Sequence, residues 1–336
     1  MKQQYIENCK LIHDKGILSQ NGVLEDYSYY PIEEELDRVF TFYTETLSLN
    51  QEYGISPAIL FYENNNKINA VASKQNGYYV IGIYLGTIVY LEEIFKNKNN
   101  LIKDAGIKEF IKFEKKSGIS INELMYQQAL HFTFYHEMGH LIQKSNFLET
   151  QLFENLSATT AFDLKKHILE LDADRFASLN VSAHVVQYAK NTFKDKLTEE
   201  DLEKILVIIC SSALFYVLSF QSENSSIYYE EKSHPHPIIR ITLIIFHVVS
   251  YALQFFESEG HKFNLQSKTI VNNCLKFSID ISDKIMPKDL ITKYQSIIPA
   301  ESDKITEYIM KAESFLEKDG SLASNKWNEI AKTKNN

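Results

Sequence analysis

The spacing of apolar residues along the chain changes character twice. Up to residue 48 they recur at helical intervals between loops, with an acidic stretch over residues 31–42. Over residues 67–95, β-branched and aromatic residues take over, with glycine punctuation. This predicts strands at residues 68–73 and 78–84, joined by a turn at Gln75-Asn76-Gly77. From Ile88 onward the helical period returns. Residues 124–144 contain no proline and a single glycine, and their Leu, Phe, Tyr and Met residues predict a largely buried helix. Gly139 costs about 1 kcal/mol there relative to Ala, which suggests a close backbone approach. Residues 205–220 and 241–256 are free of Lys, Arg, Asp and Glu. Both runs fall short of the roughly 20 apolar residues that span a bilayer, and both read as buried core helices rather than membrane spans. Residues 222–236 form the clearest long loop, and the polar residues after Lys318 read as a frayed tail.

This pattern predicts a predominantly α-helical α+β fold with a small sheet before the 124–144 helix. The expected organisation is an N-terminal helical segment (residues 1–60), a central core (61–256), a C-terminal helical segment packed on it (257–318) and a polar tail (319–336). At 336 residues and 44% hydrophobic, the chain can bury one large core or two modest ones. Its net charge of −9 and the absence of a Lys/Arg block argue against a nucleic-acid groove. Cys9, Cys210 and Cys274 are too scattered for a disulfide framework or a Cys-x-x-Cys metal site. A reducing, cytoplasmic setting is therefore expected, with each thiol buried as a small hydrophobe or exposed without special chemistry. The first ten residues lack an apolar signal core.

Within the 124–144 helix stands His136-Glu137-Met138-Gly139-His140. Residues four apart share a helix face, so His136 and His140 can aim two imidazoles at one point. Glu137 sits beside them, placed to take a proton from a zinc-activated water. The pattern His-Glu-x-x-His is a signature of zinc-dependent peptidases, and a chance match is rare with 10 histidines in 336 residues. The alternative is a pair of helix histidines that never meet metal.

A catalytic zinc needs a third protein ligand. His167-Ile-Leu-Glu170-Leu-Asp-Ala-Asp174-Arg-Phe-Ala suits an amphipathic helix, with Ser157, Thr159 and Thr160 offering N-caps. Glu170 and Asp174 share a face. Glu170 is the expected third ligand, and Asp174 the expected acceptor of a hydrogen bond from a ligand histidine. The alternative leaves both on a solvated acidic face. Asp172 is expected to point about 200° of helical rotation away from Glu170. His167 lies on the ligand face and could serve a second metal, but a packed or surface role is the default for it and for His131.

His-Glu-x-x-His followed by Glu170-Leu-Asp-Ala-Asp174-Arg-Phe-Ala resembles the gluzincin peptidases of the HtpX and CAAX-prenyl-protease type. Ser233-His234-Pro235-His236-Pro237-Ile238-Ile239-Arg240-Ile241 is similar to that family's Thr-His-Pro-(x)4-Arg-Ile segment. Asn69-Ala70-Val71-Ala72 resembles its Asn-Ala-Phe-Ala segment. The interval from His140 to Glu170 is short for the family and its long membrane segments are not evident, so a compact soluble relative of the Lit-type phage-exclusion or ImmA/IrrE type fits better.

The resemblance implies a zincin-like core holding Zn2+ on His136, His140 and Glu170, with Glu137 as general base and His234 as the oxyanion donor. Arg240 either positions His234 or contacts substrate, or else pairs structurally with Asp174 or Glu170. His236 is expected to be a neighbour without a direct role. Tyr228 and Tyr229 could supply a phenolic donor. In gluzincins an edge strand pairs with an extended peptide, and residues 78–84 are the expected edge. The expected function is a zinc-dependent endopeptidase acting on a specific intracellular protein, in phage defence or stress response, under an unidentified trigger or regulatory partner. A membrane-associated quality-control peptidase and a catalytically silent binding module are the alternatives.

Overall fold

The computed structural model describes residues 2–18, 22–49, 51–97, 101–147, 162–220, 226–232, 234–316 and 322–334. The fold is predominantly helical with one three-stranded sheet. In chain order the elements begin with α1 (Gln3–Asp14), α2 (Glu33–Leu49), β1 (Ala58–Glu63), β2 (Ala70–Gln75), β3 (Tyr78–Tyr84) and α3 (Leu85–Leu91). Next come α4 (Leu101–Asp104), α5 (Lys108–Ser117), α6 (Ile121–Phe147), α7 (Leu164–Phe193) and α8 (Glu199–Ser219). The chain ends with α9 (Pro237–Ser258), α10 (Ser267–Ser282), α11 (Lys288–Ala300), α12 (Ser302–Leu316) and α13 (Ala323–Lys334). The chain divides into two compact units. One comprises Met1–Tyr90, Thr133–Thr159 and Glu317–Asn336, the other Leu91–Phe132 and Thr160–Leu316.

The first unit is built around the sheet, whose strand order is β1-β3-β2. β2 and β3 form the expected hairpin, turning at Asn76 and Gly77 with φ of 50° and 82°. Two successive positive φ values are what a tight two-residue hairpin turn requires, and Asn-Gly supplies them at little steric cost. β1 was not among the expected strands. It pairs parallel to β3, with Ala58 opposite Tyr79 and Glu63 opposite Tyr84. Its central residues Ile59–Tyr62 are all buried, so the segment is a continuous apolar run without the alternation that marks a half-exposed strand. Residues 1–60 are therefore not purely helical.

β1 also corrects the expectation for residues 78–84. That strand lies in the centre of the sheet with a partner on each side, so it cannot be the edge that receives a peptide. A proline at Ile81 would break the sheet itself.

An aromatic cluster of Tyr5, Tyr27, Phe40 and Tyr62 sits beside β1, with ring centroids 4.8–5.7 Å apart along its contacts. Each phenol finds an acceptor, as burial demands. Tyr5 donates to the Leu24 carbonyl at 2.5 Å, Tyr62 to the Leu36 carbonyl at 2.6 Å and Tyr27 to Asp37 at 2.7 Å. Tyr43 of α2 stacks on Phe134 at 4.2 Å and 12°, which seats the C-terminal half of α6 in this unit. The chain's polar end is a helix rather than a frayed tail. Leu322, Ala323 and Ser324 are buried, and Lys326 donates to the Tyr53 carbonyl at 2.5 Å, so a few anchoring contacts outweigh a polar composition.

Among the described residues, the second unit contains helices and no strand. α7 starts on Asp163, whose side chain accepts from the Lys165 and Lys166 amides. Asp163 takes the capping role expected of Ser157, Thr159 and Thr160, which lie outside the described residues. α8 begins with a reciprocal capping box between Thr198 and Asp201, and Asp201 also receives Lys116 at 2.7 Å. The apolar runs at residues 205–220 and 241–256 lie in α8 and α9. Both helices are long and apolar enough to cross a membrane, yet 83% of the most apolar window of α8 and 56% of that of α9 are buried inside the protein. Cys9, Cys210 and Cys274 are all free and buried.

One glycine in the first unit is fixed by contact. A Cβ on Gly86 would lie 2.3 Å from the backbone carbonyl of Asn66 and 2.5 Å from that of Lys67. Backbone on the other side cannot swing away as a flexible side chain would. Gly86→Ala should therefore cost at least the roughly 1–3 kcal/mol typical of overpacking, read as a lower midpoint in denaturant unfolding.

Candidate metal centre

The motif helix α6 is buried almost all round. From Leu124 to Gln143 only Gln127 and His131 are not buried. A helix with so little solvent face carries polar groups only where they have work or partners. His136 and His140 are each 6% exposed and Glu137 3%. The helical step of four residues brings the two imidazoles together as expected, with their Nε2 atoms 3.1 Å apart. Two nitrogens bound to one tetrahedral zinc at about 2.0–2.1 Å stand about 3.3 Å apart. The observed separation is therefore close to that of a chelating pair.

Gln143 adds a feature that sequence reasoning missed. Its Oε1 lies 3.0 Å from His140 Nδ1, and Gln143 is itself buried. An amide oxygen can only accept, so His140 carries its proton on Nδ1 and turns the Nε2 lone pair toward His136. The spacing of one helical turn was the available signal.

Glu170 and Asp174 lie on α7, where only Arg175 is not buried from Glu170 to Leu179. Both carboxylates are inside the protein, so neither belongs to a solvated acidic face. Asp174 is fully buried and takes both its oxygens to Arg240 of α9, at 2.7 Å to Nε and 2.8 Å to Nη2. This differs from the expected hydrogen bond to a ligand histidine: a buried carboxylate needs a cation, and the fork of Arg240 matches it in two places. Arg240 Nη1 also stands 3.8 Å from Glu170 Oε2, and His234 Nε2 stands 3.9 Å from Glu170 Oε1. Arg240 thus pairs with both carboxylates named in the sequence. Asp172 is fully buried as well, because α7 has core on more than one side.

Within the first unit, His136 and His140 thus form a buried imidazole pair on α6, and in the second unit Glu170 is a buried carboxylate on α7. Imidazole nitrogens and a carboxylate oxygen are donor types that suit zinc.

The remaining histidines have other partners. His167 is fully buried; its Nε2 meets the Lys232 carbonyl at 2.8 Å and its Nδ1 the Tyr308 hydroxyl. Burial pushes its imidazole below the usual histidine range. His131 stacks on His184 at 4.4 Å and 7°, the packed role expected of it. His236 is fully buried and caps α9, accepting from the Ile238 amide at 3.1 Å through Nδ1. Tyr228 packs edge-on against His236, and Tyr229 donates to Glu301 at 3.3 Å. Burial pushes both phenols up to about 12.

No family model matches this chain, and neither a curated protein nor a solved structure shows significant similarity to it.

His236 carries a pH dependence that can be measured. Burial, with repulsion from Lys232 and Lys293, pushes its imidazole from 6.5 down to about 4. As pH falls, the unfolded chain therefore binds this proton first. The stabilisation is complete above about 6.5, is lost between there and about 4, and amounts to something on the order of 3 kcal/mol. His236→Asn keeps a capping oxygen and removes the titration. Denaturant unfolding across this pH range should give the variant the shallower loss, and equal slopes would exclude the assignment.

Proposed function

We propose that this chain is a zinc-dependent endopeptidase with a gluzincin-type, zincin-like centre. The observation that carries the reading is the buried His136–His140 pair of the His-Glu-x-x-His helix, with Nε2 atoms 3.1 Å apart, to which we assign the buried Glu170 carboxylate as third ligand. When bound there, zinc supplies Lewis acidity: it polarises a carbonyl and acidifies water.

The chain's own residues supply the rest. Glu137 follows His136 directly on α6 and is not one of the three proposed donors; its part is proton transfer. It takes the proton of the attacking water and hands it to the leaving amine. His234 stands beside Glu170 and is 28% exposed at its side chain, so it can meet a substrate as well as the carboxylate. A donor so placed stabilises the oxygen of the tetrahedral intermediate, a contribution of roughly 3–4 kcal/mol in comparable sites. Arg240 holds the orientation of Glu170 and is itself held by Asp174. With β3 central in the sheet, an extended peptide would have to pair elsewhere than residues 78–84. The three free, buried thiols support a reducing, cytoplasmic setting. A specific protein substrate and an activating trigger are part of the reading and rest on the resemblance to Lit-type and ImmA-type peptidases.

Two variants test it. Glu137→Gln should keep one zinc per chain by metal analysis and lose about 10²–10⁴-fold in peptide-bond hydrolysis. Glu170→Ala should lower zinc affinity by more than the roughly 10–100-fold typical of residues that only support a ligand, measured by competition with a chelator. Fragments in a cell proteome that appear with wild type and not with Glu137→Gln would identify the substrate. Zinc in both proteins and cleavage by neither would sink the peptidase reading in favour of a binding module.

A further inference from the structure

His167 was expected to be a packed or surface residue, with a second metal as the alternative, and neither the metal set nor the helix caps absorb it. We propose that His167 and Tyr308 form a clamp that positions His234 against Glu170, which makes them positioning residues of the endopeptidase reading on which this inference rests.

The argument begins with the hydrogen bonds of one buried ring. The Lys232 carbonyl can only accept, so His167 Nε2 carries the proton and donates to it at 2.8 Å. Nδ1 then offers a lone pair, and the Tyr308 hydroxyl donates to it. The ring is neutral with both nitrogens engaged, which fixes its tautomer and its orientation.

That ring sits on α7, three residues before Glu170, and the carbonyl it grips lies two residues before His234. On the other side, two residues after His234, His236 caps α9. His234 therefore lies between two buried histidines that hold the backbone on either flank. Tyr308 closes the arrangement from α12. Its ring belongs to an apolar cluster with Leu171, Ile239 and Leu243, against which Ile227 and Tyr229 of the same loop pack. Glu230 is tied to Lys311 of α12 at 2.6 Å. The loop that delivers His234 is thus fastened to α12 by packing and charge, and to α7 by one hydrogen bond.

A merely stabilising loop staple would use the same contacts, so the test must read His234 itself. Zinc-loaded full-length protein labelled with 15N-histidine, with assignments from single His→Gln variants, should show His167 neutral at pH 7 with its proton on Nε2. Tyr308→Phe removes only the hydroxyl and leaves the ring in its cluster. It should shift or broaden the His234 ring signals while zinc content stays at one per chain. His167→Gln keeps a side-chain N–H for the Lys232 carbonyl and should disturb His234 less than His167→Leu.

In turnover of fluorescein-labelled casein, Tyr308→Phe should lower kcat about ten- to a hundredfold with little change in KM, and should add nothing in a His234→Ala background. A proton on Nδ1 of His167, His234 signals unmoved in both Tyr308→Phe and His167→Leu, or additive losses with His234→Ala would each overturn the clamp. Absence of zinc-dependent cleavage in wild type would instead count against the peptidase reading, and the histidine spectra would still decide the clamp.

Discussion

A carboxylate with no exposure to water must meet a cation inside the protein, and the pairing of Asp174 with Arg240 is the constraint around which the candidate site is arranged. The pair is bidentate, at 2.7 and 2.8 Å, and it joins the middle of α7 to the first turn of α9. Removing one member of such a pair leaves a buried charge, which typically costs about 3–5 kcal/mol. The geometry then propagates. Arg240 reaches Glu170 one turn away on α7, and the start of α9 fixes where the preceding loop must arrive with His234. Buried ion pairs are poor sources of net stability, but their strict geometry suits them to holding other groups in register.

The same logic of enforced satisfaction runs through the histidines. Burial makes each imidazole declare a tautomer. His140 is oriented by Gln143, His167 by Lys232 and Tyr308, and His236 by the amide of Ile238. Only in the first of these does the orientation present a lone pair toward another imidazole. The other two histidines serve the backbone, one by gripping a carbonyl and one by capping a helix. Histidines in a single stretch of chain thus divide between chemistry and architecture according to what faces their second nitrogen. His234 and His236, two residues apart in the His-Pro repeat, show the division most plainly: one stands beside Glu170, the other is sealed in a core.

Local rules made much of this legible in the amino-acid sequence. The helical step of four residues sets His136 and His140 on one face wherever the segment is helical. Asn76-Gly77 turns a hairpin because glycine tolerates positive φ and asparagine visits it at low cost. The uninterrupted apolar run in α8 has to be covered. The same period places Glu170 and Asp174 on a common face of α7. These conclusions depend on residues close in sequence, whose geometry is set by the backbone alone.

Partner choice across long separations was decided only by the tertiary structure. β1 is an apolar run that could be strand or helix until a parallel partner claims it, and its arrival moves β3 from the edge of the sheet to its centre. Asp174 was equally fit to meet a ligand histidine or Arg240, 66 residues away, and the second won because a fork of two hydrogen bonds satisfies a buried carboxylate best. His167 was fit for a packed or a surface place on its helix until Tyr308, 141 residues on, supplied the hydroxyl for its second nitrogen. The final helix, polar in composition, forms because a few of its residues find buried places. Periodicity sets which side chains share a face. What they face is fixed by packing, where the cost of leaving a buried polar group unsatisfied selects among partners that local sequence cannot rank.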